Sequence, residues 1–113
     1  MIKTLSVILP LFNEEQRLNS LFIEIKKFKF LKKNKIEFIF VNDGSIDNSN
    51  LLIKNFINEN NKKIDLKLIS YKNNQGKGFA LKKGVARAKH DWIITVDIDL
   101  SVKLEQIKIW QKK

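Results

Sequence analysis

A chain of 113 residues with 43% hydrophobic content, eight Phe and two Trp is large and apolar enough for one domain with a core, which excludes a disordered tail. It has no cysteine, which excludes disulfides, thiolate metal sites and a cysteine nucleophile and fits a reducing compartment. The formal net charge of +10 attracts phosphates in general, but only Arg17 and Arg87 among the 22 basic residues are arginine, and surfaces that read nucleic acid favour arginine.

Leu5–Leu9 is a short β-rich run ending at Pro10. Pro10 and the polar segment "NEEQR" break the apolar stretch, so the N-terminus does not read as a signal peptide. Leu18, Leu21, Phe22, Ile25 and Phe28 then fall on one helical stripe. Asn13 is the expected N-cap, with Glu14 and Glu15 in the first turn, where the helix dipole favours anions. Ile36–Val41 reads as a second strand stopped by the turn signal "NDGS". Asp47 or Ser49 is placed to cap a helix carrying Leu51, Leu52, Phe56 and Ile57. Ile64, Leu66 and Leu68 alternate with polar residues, as in an edge strand. After the loop "NNQGKG", Ala80, Gly84 and Ala88 recur every four residues and give a helix face able to approach a sheet closely. "WIITV" is the fourth strand and "VKLEQIKIWQKK" is expected to be a last helix.

Strands alternating with helices predict an α/β fold, a Rossmann-like three-layer sandwich around a mainly parallel sheet, with residues 1–113 as one unit. No apolar run approaches the length that spans a bilayer.

In such sheets ligands bind beyond the carboxyl ends of the strands, and three of the strands end in polar residues. In "DID", Asp97 and Asp99 point the same way from an extended segment. Together they suit a hard divalent cation, Mg²⁺ or Mn²⁺, which takes one or two carboxylates plus substrate phosphates. In "NDGS", Asp43 can accept hydrogen bonds from a base edge or a ribose, and Gly44 permits a tight turn. In "NNQGKG", Gly76 and Gly78 let backbone approach a ligand, with Lys77 near phosphate; the loop is neither a Walker A nor a dinucleotide fingerprint. Each motif alone also has a plain reading, as solvated loop acids or an ordinary turn. His90, the single histidine, reads as a surface residue at a helix end.

The segments "SVILPLFNEEQRL", "FIFVNDGSIDNS", "NNQGKGFALKKGVARA" and "WIITVDIDLS", in this order and spacing, resemble the family 2 glycosyltransferases of GT-A fold over nearly the whole chain. Within them the "GKG" loop and "DIDLS" look most like the polyprenyl-phosphate and dolichyl-phosphate sugar transferases. The resemblance implies a strand order of 3-2-1-4 and an inverting transfer from a nucleotide sugar, with a UDP-sugar favoured over a GDP-sugar. It implies nucleoside contacts at Pro10, Phe12, Glu14, Val41 and Asp43. It assigns the donor diphosphate and the cation to Asp97, Ile98 and Asp99. Phe12 stands where the family often has Tyr, Asn42 where it often has a first Asp, and Ile98 where Ala is usual.

Relatives of this kind are longer, so the acceptor site and any catalytic base are expected beyond residue 113, and the isolated chain is expected to transfer sugar poorly. A lipid-phosphate acceptor implies a cytoplasmic location with room for peripheral attachment to the inner face of the membrane. If "WIITV" ended the sheet, its open edge would favour a homo-oligomer. The alternatives are a nucleotide-binding α/β module without transferase activity and a basic nucleic-acid-binding domain; for the latter no reading motif is present, and no nucleic-acid partner is expected.

Overall fold

Both central strands are buried along their full length, as strands covered by helices on two faces must be. The computed structural model describes residues 4–27, 35–98 and 109–111. Its elements are β1 (Leu5–Leu11), α1 (Glu15–Lys26), β2 (Ile36–Asp43), α2 (Ser49–Asn60), β3 (Asp65–Tyr71), α3 (Lys77–Arg87), β4 (Trp92–Thr95) and β5 (Ile109–Gln111). The sheet order is β3-β2-β1-β4-β5. The first four strands are parallel and in the expected order 3-2-1-4.

Strand alternation divides the core in two. Leu5, Val7, Leu9 and Leu11 of β1, with Ile36, Phe38 and Phe40 of β2, pack with Leu18, Phe22 and Ile25 of α1 and Ile53 and Phe56 of α2. Phe22 stacks on Phe56 with ring centroids 4.1 Å apart, and both meet Phe40 edge-on, at 6.0 and 6.4 Å. On the opposite face Ile8, Ile39, Val41 and Ile93 pack against Ala80 and Ala88. The small-residue spacing of α3 is used as expected: a Cβ on Gly84 would lie 2.3 Å from Cγ2 of Ile8, so the helix backbone rests almost directly on β1.

Pro10 does not end β1, which continues to Leu11 alongside β2. The β1–β4 pairing, however, stops at Ile8↔Thr95, with the Val96 amide donating to the Ile8 carbonyl. Pro10 faces that same side two residues on, where its missing N–H interrupts no ladder. The two strands therefore splay there, and the carboxyl end of the sheet opens.

Two expectations are corrected. Ile109–Gln111 is not helical but pairs antiparallel with β4, through Trp92↔Gln111, Ile93↔Trp110 and Ile94↔Ile109. The alternation "IKIW" suits a strand, and β4 offered a row of unsatisfied backbone groups to pair. β4 is consequently not an edge over Trp92–Ile94, and self-association through it has lost its structural basis. Phe28 and the remainder of the expected last helix lie outside the described residues. Among the described residues no helix is long and apolar enough to cross a membrane.

The amino ends of the strands are fastened by a charge that sequence reasoning missed. Glu37 is fully buried in β2. It accepts hydrogen bonds from Ser6 Oγ at 2.5 Å, from the Lys89 amide at 2.7 Å and from Lys67 Nζ. Lys89 Nζ in turn pairs with Asp65 at 2.5 Å, and the His90 amide donates to Ser6 Oγ at 3.2 Å. Burial alone would raise the Glu37 carboxyl; the bonds from Lys67, Ser6 and Lys89 outweigh it and hold the group below its ordinary range. His90 is half-buried rather than a surface residue, and burial lowers its imidazole.

Candidate functional site

The loops after β1, β2 and β3 meet at the carboxyl end of the sheet, and their own polar groups hold them together. Asn13 takes a left-handed conformation, with φ of 53°. Its amide donates to Ser45 Oγ and its Oδ1 accepts from the Ile46 amide, both at 2.9 Å. It is thus a cross-loop tie, not the cap of α1. The cap position of α2 is Asn48, not Asp47 or Ser49; Asp47, one residue before it, accepts from the Ser49 amide at 2.9 Å and from the Glu15 amide at 3.2 Å. Glu15 Oε1 accepts from the Asn48 amide at 2.9 Å in return. Burial would raise Asp47, but hydrogen bonding from Ser49 and Glu15 holds it below the usual range.

β2 runs two residues further than expected, through Asn42 and Asp43, because both still pair with β3. The turn that follows needs glycine at Gly44. Its φ is 73°, and a Cβ there would lie 2.3 Å from the Asn74 amide nitrogen. This close approach sets the loop after β3 against Asp43. Asp43 Oδ1 accepts from the Gln75 amide at 2.8 Å. Its Oδ2 accepts from the Gly76 amide and from Asn74 Nδ2, both at 2.9 Å. Asn74 Nδ2 also donates to the Asp43 carbonyl at 3.0 Å. Asp43 therefore organises the entry to α3. Nothing in the sequence flagged Asn74, although an Asn two residues before a left-handed glycine is a plausible loop donor. The Tyr71 hydroxyl is buried nearby; burial first, then the Asp43 carboxylate, raise its phenol.

A cavity of about 220 Å³ lies among these loops, lined by Pro10, Leu11, Phe12, Asp43, Asn74, Gly76, Lys77, Ala80 and Asp97. Pro10, Phe12, Asp43, Lys77 and Asp97 were all expected at the site, from four separate segments. Phe12 is 46% exposed and presents a ring face. Across the cavity Lys77 Nζ forms an ion pair with Asp97 Oδ2.

Three expected residues are not brought in. Val41 is fully buried, with Cγ2 3.2 Å from where a Gly84 Cβ would sit, so its side chain serves the α3 core. Ile98 is buried among the apolar residues facing α1 and α2. Glu14 is 5% exposed and accepts from Arg17 NH1 at 2.7 Å. Asp99 lies outside the described residues. Among the described residues no three His, Cys, Asp or Glu side chains cluster as a protein-only metal cage. A single carboxylate with an exposed lysine partner, Asp97, suits instead a hard cation that takes its remaining ligands from water and phosphate.

A mainly parallel α/β sheet with a cavity at the carboxyl ends of its strands has that cavity where ligands bind in open α/β folds. The pattern of the glycosyl transferase family 2 matches residues 6–112, and the chain belongs to that family. It is 33% identical over 103 residues to a prophage bactoprenol glucosyl transferase homolog of Escherichia coli (strain K12), covering 91% of this chain and 33% of that protein. It is 35% identical over 100 residues to a dolichyl-phosphate beta-glucosyltransferase of Dictyostelium discoideum, covering 84% and 30%. A mannosyltransferase from Pyrobaculum calidifontis, solved in complex with GDP-Man and Mn²⁺, superposes with a TM-score of 0.76 at 22% identity, over 84% of this chain and 27% of that one. The chain thus spans about a third of the length of these curated relatives, and the solved mannosyltransferase shares its GT-A fold.

Proposed function

We propose that this chain is the donor-binding part of an inverting glycosyltransferase that uses a nucleotide sugar and a divalent cation, with a polyprenyl phosphate as acceptor. The observation that carries the reading is the cavity itself, which gathers Phe12, Asp43, Lys77 and Asp97 from segments far apart in sequence. Phe12 offers a stacking face to a base, and Asp43, fixed by the 74–76 loop, lines the cavity where a ribose or base edge would lie. Lys77 and the start of α3 supply positive charge to a diphosphate.

Asp97, with Asp99 as the expected second carboxylate, would hold Mg²⁺ or Mn²⁺. When bound, that ion supplies Lewis-acid stabilisation of the departing diphosphate. The acceptor oxygen attacks the anomeric carbon from the face opposite the diphosphate, the carbon–oxygen bond to the diphosphate breaks, and the configuration inverts. A phosphate acceptor is already ionised and needs little help from a base. With a lipid-borne acceptor the reaction would run at a membrane surface, and the reading sets it on the cytoplasmic side.

The test is a thermal-shift screen of UDP-, GDP- and dTDP-sugars with and without Mn²⁺. A ligand at a hundredfold excess over its dissociation constant adds about 2.7 kcal/mol to stability, a readily visible shift. We expect UDP-sugars to shift the transition most, and only with cation. Asp99→Asn should remove the cation dependence, and Asp43→Ala should weaken nucleoside binding with or without cation. Unchanged affinity in both variants, measured by calorimetry, would overturn the site.

A further inference from the structure

We propose that Lys77 is a built-in stand-in for the cation: its ammonium occupies Asp97 until a divalent cation and a diphosphate arrive together, and this makes the two bind cooperatively. The inference rests on the reading above that both bind in this cavity.

Two carboxylates line the cavity, and they are held differently. Asp43 is 4% exposed and bound by two backbone amides and the Asn74 side chain. Those amides cannot leave without dismantling the start of α3, so Asp43 is not available to a metal ion. Asp97 is held by Lys77, whose side chain is 59% exposed against 30% for Asp97. A lysine on a four-carbon stem can swing away at little cost. Among the described residues the remaining ion pairs, Arg17–Glu14, Lys67–Glu37, Lys67–Asp65 and Lys89–Asp65, lie away from the cavity lining. Asp97 is therefore the cavity carboxylate with a displaceable partner.

A cation arriving alone must break this pair and then sit beside an unpartnered ammonium. A diphosphate arriving alone meets a lysine already engaged. When both arrive, the ammonium passes to a phosphate oxygen and the carboxylate to the cation, and no charge is left unpaired. Each ligand then strengthens the other by the same factor, as linkage requires. Lys77 stands at the first position of α3, close enough to turn from Asp97 toward a diphosphate over the same cavity.

The experiment titrates Mn²⁺ by electron paramagnetic resonance, with and without UDP, against the wild-type chain and the variants Lys77→Met, Lys77→Gln and Asp97→Asn. Circular dichroism melts check that each is folded. The exposure of Lys77 makes its replacement tolerable to the fold. Both Lys77 variants should bind Mn²⁺ alone roughly two- to fivefold tighter than wild type, the scale of a lost exposed ion pair. The strengthening of Mn²⁺ binding by UDP should shrink by a similar factor. Mn²⁺ affinity unchanged or weakened in both Lys77 variants, while Asp97→Asn abolishes binding, would overturn the competition and leave the donor reading standing. Absence of Mn²⁺ binding in the wild type even with UDP would overturn both.

Discussion

Glu15 and Asp47 each bind the start of the other's helix: the Glu15 amide donates to Asp47 Oδ2, and Glu15 Oε1 accepts from the Asn48 amide. Two acidic side chains that would repel in isolation are thus satisfied by backbone donors at the positive ends of α1 and α2. Replacing Asp47 removes acceptors from both helix starts. Asp47→Ala should cost about 1–2 kcal/mol and Glu15→Ala less, because Glu15 serves only the Asn48 amide. The double variant should fall short of the sum by about 0.5 kcal/mol or more, read from urea unfolding, since the pair acts as one unit.

Gly44 cannot be replaced without strain. Alanine there meets both the positive φ of 73° and a backbone contact of 2.3 Å with Asn74. We expect Gly44→Ala to destabilise by about 2–4 kcal/mol. Because the clash is with the 73–76 loop, amide exchange at Gln75 and Gly76 should accelerate more than exchange in α1.

Asp43→Asn keeps the size of the side chain but turns one acceptor oxygen into a donor. It then faces two backbone amides with a single acceptor. Exchange at one of the Gln75 and Gly76 amides should rise by more than tenfold, the scale of about 1.4 kcal/mol for a lost charge-assisted bond. Wild-type protection in this variant would show that the loop is held by something other than the carboxylate.

Glu37 makes stability depend on acid. Its carboxyl lies below the ordinary 4.5 in the folded state, so its contribution is complete above that value and is lost as pH falls through the folded pKa. Melting temperature followed from pH 6 to pH 3 should drop steeply in the wild type. Glu37→Gln should be less stable at pH 6, by about 3 kcal/mol for a broken buried pair, and its melting temperature should fall less on acidification. An identical slope in both would assign the acid sensitivity to Asp47 and other carboxylates.

The sheet was legible because β1 and β2 are rich in buried apolar residues and α3 repeats small residues every four positions, patterns set by burial alone. The polar ties were not. Asn13 has the composition of a cap, yet the chain turns left-handed there and its side chain serves Ile46, 33 residues on. Asn74 finds Asp43 across 31 residues, a pairing that depends on the sheet being assembled first. Glu37 sits in a strand where a charge ordinarily marks a solvent face, and its burial is intelligible only once Lys67 and Lys89 are seen beside it. The short strand at Ile109–Gln111 was hidden for the opposite reason: three residues of alternation are too few to outweigh the helical spacing around them.

The buried Glu37 cluster lies at the amino ends of the strands, and the cavity at their carboxyl ends. The sheet is in effect a bar riveted at one end and open at the other. That separation is useful to anyone re-engineering the protein. The tip at Phe12 and the side chain of Lys77 can be redrawn for a different ligand while the Asp43–Asn74 tie and Ser6, Glu37, Lys67 and Lys89 are left alone. A library confined to the open end would spend its variation on recognition, and its failures would report on binding far more often than on collapse of the scaffold.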